Sequence, residues 1–150
     1  MVVHGPLEAV ILVRLQVPQQ SMKKTMKNRL ITKEGVWLWP DSLDARVVAP
    51  ESHKILLENE YVRVIEVTIK PGMKEPAHTH KWPSVMIVDV PTDLRYYDED
   101  NKIVEIIGRY ETKTEWMDPE RLHAVENLDN KKTYHAIRIE LKKLVLDPEL

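Results

Sequence analysis

From Tyr61 to Lys70 the chain reads YVRVIEVTIK, a run rich in β-branched residues with no helix former repeated at helical spacing. Side chains leave a β-strand alternately on its two faces. Ile65, Val67 and Ile69 therefore share a face with Tyr61 and Arg63, while Val62 and Val64 lie opposite with Glu66, Thr68 and Lys70. Such a segment favours a strand over a helix. The same pattern recurs along the chain. Lys54–Glu58, Ser84–Val90, Leu94–Tyr97, Ile103–Ile107, Arg109–Trp116, Leu122–Leu128 and Thr133–Lys142 read as short strands. They are divided by Asn59-Glu60, Pro71-Gly72, Asp98–Asn101, Asp118–Glu120 and Asp129–Lys132, all turn chemistry. In the last strand His135, Ile137, Ile139 and Leu141 share one face, and Tyr134, Arg138 and Glu140 the other. Short strands at this spacing predict an all-β antiparallel sandwich or barrel. Val36–Trp39 and Arg46–Ala49 are expected to be edge strands or an interface patch.

At 150 residues the chain has the size of one domain that can hold together by its core. Residues 1–35 differ from the rest, with Pro6, Pro18 and a basic cluster at Lys23, Lys24, Lys27 and Arg29. They are expected to form an N-terminal extension or arm, or to reflect a later start at Met22 or Met26, leaving 36–146 as the barrel domain. With 22 Lys and Arg against 24 Asp and Glu there is no basic footprint for nucleic acid and no polybasic membrane patch. The apolar run Leu7–Val17 is broken by Glu8 and Arg14, so neither a signal peptide nor a membrane span is expected. No cysteine is present, which removes thiolate nucleophiles and Cys-based metal sites. A cytoplasmic protein is the expectation.

The chemistry concentrates in two places. His78 and His80 sit two apart on a strand, so both imidazoles leave on the same side and can meet one ligand. His123, in another strand segment, is followed four residues later by Asn127. His4 and His53 have no such context and are expected to face solvent, while His135 is expected to hydrogen-bond in the core or support the ligands. Asn127 is expected to stabilise a turn. Ser84 is a candidate partner for metal-bound water, and Trp82 and Trp116 for the mouth of a pocket. Glu58, Glu66 and Glu126 are distant candidate carboxylates, with Arg63 and Arg138 as candidate anion anchors.

From about Pro50 to Lys143 the chain resembles a small single-domain cupin, a double-stranded β-helix or jelly-roll barrel. The first cupin motif, Gly, five residues, then His-x-His, is matched by Gly72, His78 and His80; the second is matched by His123 and Asn127 in HAVEN. The motif's glutamate falls on Ser84 or Val85 and its closing glycine on Pro91 or Thr92, so both are absent. The resemblance implies that His78, His80 and His123 point into the barrel and bind one divalent metal. Fe, Zn, Ni and Mn are not distinguished, and Fe or Zn is favoured. Three imidazoles without a carboxylate leave positions for water or substrate and keep the ion's double charge, which suits a small polar or anionic metabolite. A dioxygenase-like activity is the first expectation; a non-enzymatic small-ligand binder or vestigial cupin is the second. Small cupins pair through sheet edges, so a homodimer is expected.

Overall fold

The computed structural model describes residues 37–108 and 113–143. The proposed arm at 1–35, His4 and the end of the expected domain at 144–146 lie outside them. Among the described residues there are nine strands: β1 (His53–Glu58), β2 (Val62–Ile69), β3 (His78–His80), β4 (Ser84–Val90), β5 (Leu94–Tyr97), β6 (Ile103–Ile107), β7 (Lys113–Met117), β8 (Glu120–Asn127) and β9 (Tyr134–Leu141). They form two sheets, one in the order β1-β2-β9-β4-β7 and the other β3-β8-β5-β6. Every strand pairing is antiparallel. The sheets enclose one interior.

That interior has two halves. β2 and β9 run side by side in full register, with Arg63 opposite Glu140, Ile65 opposite Arg138, Val67 opposite Ala136 and Ile69 opposite Tyr134. These eight residues are the buried ones on the two strands. The strand pair thus passes from charged to apolar along its length. At the apolar end Ile65, Val67, Ile69, Met86, Val88, Leu94 and Val125 form the core.

Two expectations are corrected here. Arg46–Ala49 is not an edge strand: Ala45–Val48 is a single helical turn, α1, packed against β1 and β3. Asp44 caps it, accepting from the Arg46 N–H at 2.9 Å, and a capped turn satisfies the donors that a strand would have left open. The turn expected at Asp118–Glu120 is also shorter, because Glu120 already belongs to β8.

The Pro71-Gly72 turn holds the two candidate motifs together. Gly72 has φ of +71°, and the Met73 N–H reaches the Lys70 carbonyl at 3.0 Å, a type II turn with proline and glycine where that turn needs them. The Gly72 N–H donates to the Asn127 carbonyl at 3.0 Å and the Asn127 N–H to the Met73 carbonyl at 2.9 Å. The Asn127 side chain, fully buried, donates to the carbonyls of Ile69 and Lys132 and accepts from the Asp129 N–H. Asn127 is thus a backbone staple, as its turn chemistry suggested, and it fixes the strand that carries His123.

Candidate metal centre

His78 and His80 project from β3 into the interior, each only 1% exposed. β8 lies alongside with His123 paired to His78 and Glu120 paired to His80. The pairing spends three steps on β8 for two on β3, a bulge. That bulge decides the composition of the site. Residues 120 and 123 would face opposite sides of a regular strand, yet both line the inner cavity here. His123 stands with its ring 4.6 Å from that of His78 and 5.7 Å from that of His80.

A fourth histidine completes the cluster. His53, expected to face solvent, is 4% exposed, with its ring 4.7 Å from His78 and 5.2 Å from His80. The expectation fails because β1 closes the edge of the five-stranded sheet with His53 opposite the inward-facing Val67. The ligating atoms of His53, His78 and His80 lie within 4.8 Å of one another, and so do those of His80, Glu120 and His123.

All four imidazoles are tethered by the same nitrogen. Nδ1 of His78 donates to the Pro76 carbonyl at 2.8 Å and that of His123 to the Arg121 carbonyl at 2.7 Å. Nδ1 of His53 faces the Ala49 carbonyl at 3.2 Å and Ser52 Oγ at 3.0 Å, and Nδ1 of His80 meets Glu140 Oε1 at 2.9 Å. A backbone carbonyl only accepts, so Nδ1 carries the proton and Nε2 presents its lone pair. This is the tautomer a metal site requires, held by outer partners in the usual way. Burial lowers the pKa of His53 to about 4 and holds His78 and His80 well below their ordinary value, so the three are neutral at pH 7. The donor set fits a divalent metal.

Charges ring the cluster. Arg63, 1% exposed, grips Asp44 with both terminal nitrogens at 3.0 and 2.9 Å and reaches Glu140 Oε2 through Nε. Although burial opposes its charge, the hydrogen bonds to Asp44 and Glu140 raise the Arg63 pKa above its ordinary value. Arg138 binds Glu120 through Nη1 and lies 3.6 Å from Glu140 Oε1 through Nε, while among the described residues its Nη2 makes no hydrogen bond. Burial, the largest single influence, would raise Glu120, but the charge and hydrogen bond of Arg138 together with the neighbouring imidazoles outweigh it and keep that carboxylate below the ordinary range. Glu75, 3% exposed and 3.6 Å from His53 Nδ1, is pushed up to about 7 by burial.

The other residues singled out from the sequence fall elsewhere. Ser84 is fully buried on the inward face of β4 but does not line the cavity. Trp82 stacks against the Arg63 guanidinium at 5.0 Å and lines neither the inner cavity nor the outer cleft. Trp116 does line the outer cleft. His135 bonds Asp89 and Glu66 on the outer face of β9, not the ligands. Glu126 is held by Tyr97 and Arg95, Glu58 by Lys142, and Glu66 by His135. The carboxylates at the cluster are instead Glu75, Glu120 and Glu140.

The fold matches that of a cupin domain from Bordetella pertussis Tohama I, with a TM-score of 0.53 and 20% identity over 61% of this chain and 92% of that one. The chain has the cupin fold. A further match is an RmlC-like cupin from Methanocaldococcus jannaschii, at a TM-score of 0.46 and 13% identity over 59% of this chain and 77% of that one. Another is a polyketide cyclase from Streptomyces resistomycificus, at 0.44 and 14% over 64% and 72%. No protein-family profile and no curated protein matches the sequence. Among the described residues no helix is long and apolar enough to cross a membrane.

The cluster surrounds a cavity of about 30 Å3, the size of one water or ion. Tyr96, Glu115, Met117, Glu120 and His123 line both this cavity and a cleft of about 680 Å3 outside it. Among the described residues the cleft carries Asp98, Glu99, Asp100, Glu105, Glu115, Asp118 and Glu120 against Lys113 and Arg121. Access to the centre runs along an acidic wall.

Proposed function

We propose that this cupin is a metal-dependent enzyme, dioxygenase-like in its chemistry, that acts on a small metabolite at the histidine cluster. The observation that carries the reading is the uniform tether of the four imidazoles, which turns every Nε2 lone pair away from its backbone or carboxylate partner. Three buried neutral imidazoles and the half-buried His123, all presenting Nε2 around an ion-sized cavity, suit a divalent cation. His78, His80 and His123 would hold iron or zinc, and the ion would supply Lewis acidity or a site for oxygen.

The chain's own residues do the rest. Nη2 of Arg138, which makes no hydrogen bond among the described residues, offers an anchor for one oxyanion or enolate oxygen, since a buried donor without a partner costs free energy until something accepts from it. The acidic cleft disfavours further negative charge at the substrate's outer end. A small substrate with one anionic head is therefore expected, and a polyphosphate is not. Tyr96, raised well above its ordinary pKa by burial, stays a neutral hydroxyl beside His123.

Metal analysis of protein purified without a histidine tag, beside His78→Ala and His123→Ala variants, tests the first step; a parent with almost no metal ends the reading. Oxygen uptake with thiols and diketones after ferrous loading tests the second. The non-enzymatic reading has one observation in its favour, the small size of the inner cavity. It gains if metal is bound and no substrate in the panel drives oxygen uptake. We also propose a cytoplasmic homodimer joined along β1, an edge strand whose Leu56 and Leu57 are half exposed. A monomeric mass in sedimentation at micromolar protein would sink the dimer.

A further inference from the structure

The first cupin motif has lost its carboxylate, and β4 offers only Ser84, Met86 and Val88 to the interior. We propose that His53, on β1 and outside both motifs, is a metal ligand in that carboxylate's stead. The inference rests on the metal reading above and adds a residue that neither motif contains.

Three observations meet on this side chain. Its ligating atoms lie within 4.8 Å of those of His78 and His80, so the three can share one ion. The turn before β1 holds its Nδ1 twice, through the Ala49 carbonyl and Ser52 Oγ, which leaves Nε2 free. Ser52 is itself 1% exposed and its hydroxyl also reaches the Ala49 carbonyl at 3.3 Å, so this mount is rigid. A histidine retained for packing alone would need its second nitrogen satisfied in so buried a place, and no hydrogen bond within the described residues engages His53 Nε2. The one carboxyl close by, Glu75, approaches Nδ1 instead, at 3.6 Å.

The exchange has an electrostatic logic. Arg138 and Arg63 already bring two cations close to the cluster, and Glu120 and Glu140 are engaged by them. With neutral His53 in place of a glutamate, the ion keeps its full double charge, which strengthens its pull on an anionic ligand. The site trades one protein anion for a more electrophilic metal.

Cadmium-113 loaded into the full-length, untagged protein tests this without a substitution, because scalar coupling between the metal and imidazole ring protons names each ligating histidine. Coupling to His53 is expected. Coupling to His78, His80 or His123 with none to His53 overturns the inference and leaves the metal reading standing; coupling to no histidine overturns both. A His53→Gln variant gives a second readout by zinc titration. Loss of a residue that merely orients a ligand weakens metal binding about 10–100-fold, so loss of a ligand is expected to weaken it by at least about 100-fold. Unchanged zinc affinity in a variant with the parent's circular dichroism would overturn the proposal.

Discussion

The two halves of the barrel interior are built from the same strands and obey opposite rules. Along β2 and β9 the inward row changes from Arg63 and Glu140, through Ile65 and Arg138, to Ile69 and Tyr134. In the apolar half each residue gains by leaving water, and neighbours of similar size are interchangeable at modest cost. In the ionic half each charge is tolerable only because a specific partner stands beside it. Asp44, Arg63, Glu140 and His80 form one buried chain from the cap of α1 to the imidazole cluster. The apolar end is tolerant of exchange, and the ionic end, where the chemistry sits, is not.

The sharpest way to break that contrast is Arg63→Met. It leaves Asp44 and Glu140 buried without their cation, and urea denaturation is expected to show a loss of about 3–5 kcal/mol. A loss below about 1 kcal/mol would mean that the two halves do not differ as described.

Acid should act on the ionic half alone. His78 and His80 have folded pKa values well below 6.5, so the unfolded chain binds protons that the folded one refuses as the pH falls below 6.5. Stability is present above that pH and lost on acidification, at up to about 1.4 kcal/mol per pH unit for each of the two. His53, lowered to about 4, acts in the same sense. Glu75, raised to about 7 from 4.5, acts in the opposite sense across much of the same range and nearly cancels it. Metal-free protein is thus expected to lose about 2 kcal/mol between pH 6.5 and 5.5. Equal urea midpoints at the two pH values would contradict neutral, buried His78 and His80.

Two milder substitutions set the halves against each other. Glu140→Gln replaces the carboxylate that holds His80 Nδ1, and zinc titration should show binding weakened about 10–100-fold. Ile69→Val removes one methylene at the apolar end and should cost about 0.5–1.5 kcal/mol while zinc affinity stays at the parent's value. An Ile69→Val variant with impaired zinc binding would show the halves to be coupled.

Much of this was legible in the sequence. Period-two alternation marked most of the strands, and the spacing of His78 and His80 placed both on one inward face. Gly72 and Asn127 were readable for turn chemistry, although only the fold shows that they bond each other's segments. Parity correctly grouped Tyr134, Arg138 and Glu140, but it could not say that this polar row faces inward and that the row of Ile137, Ile139 and Leu141 faces out. Hydrophobicity alone points the other way.

What the sequence determined by itself was local: the strand period, the turns, the absence of any thiol and the two histidine motifs. Each depends on residues within a few positions of one another, where backbone sterics and side-chain alternation act directly. The tertiary structure decided the rest. His53 enters the cluster because β1 packs opposite Val67 in the same barrel, and Glu120 enters because a bulge on β8 reverses its parity. Neither strand registration across the barrel nor a bulge leaves a periodic mark on the chain. They follow from which buried charges find partners once the two sheets close, so the ligand set beyond the motifs is a property of the closed barrel.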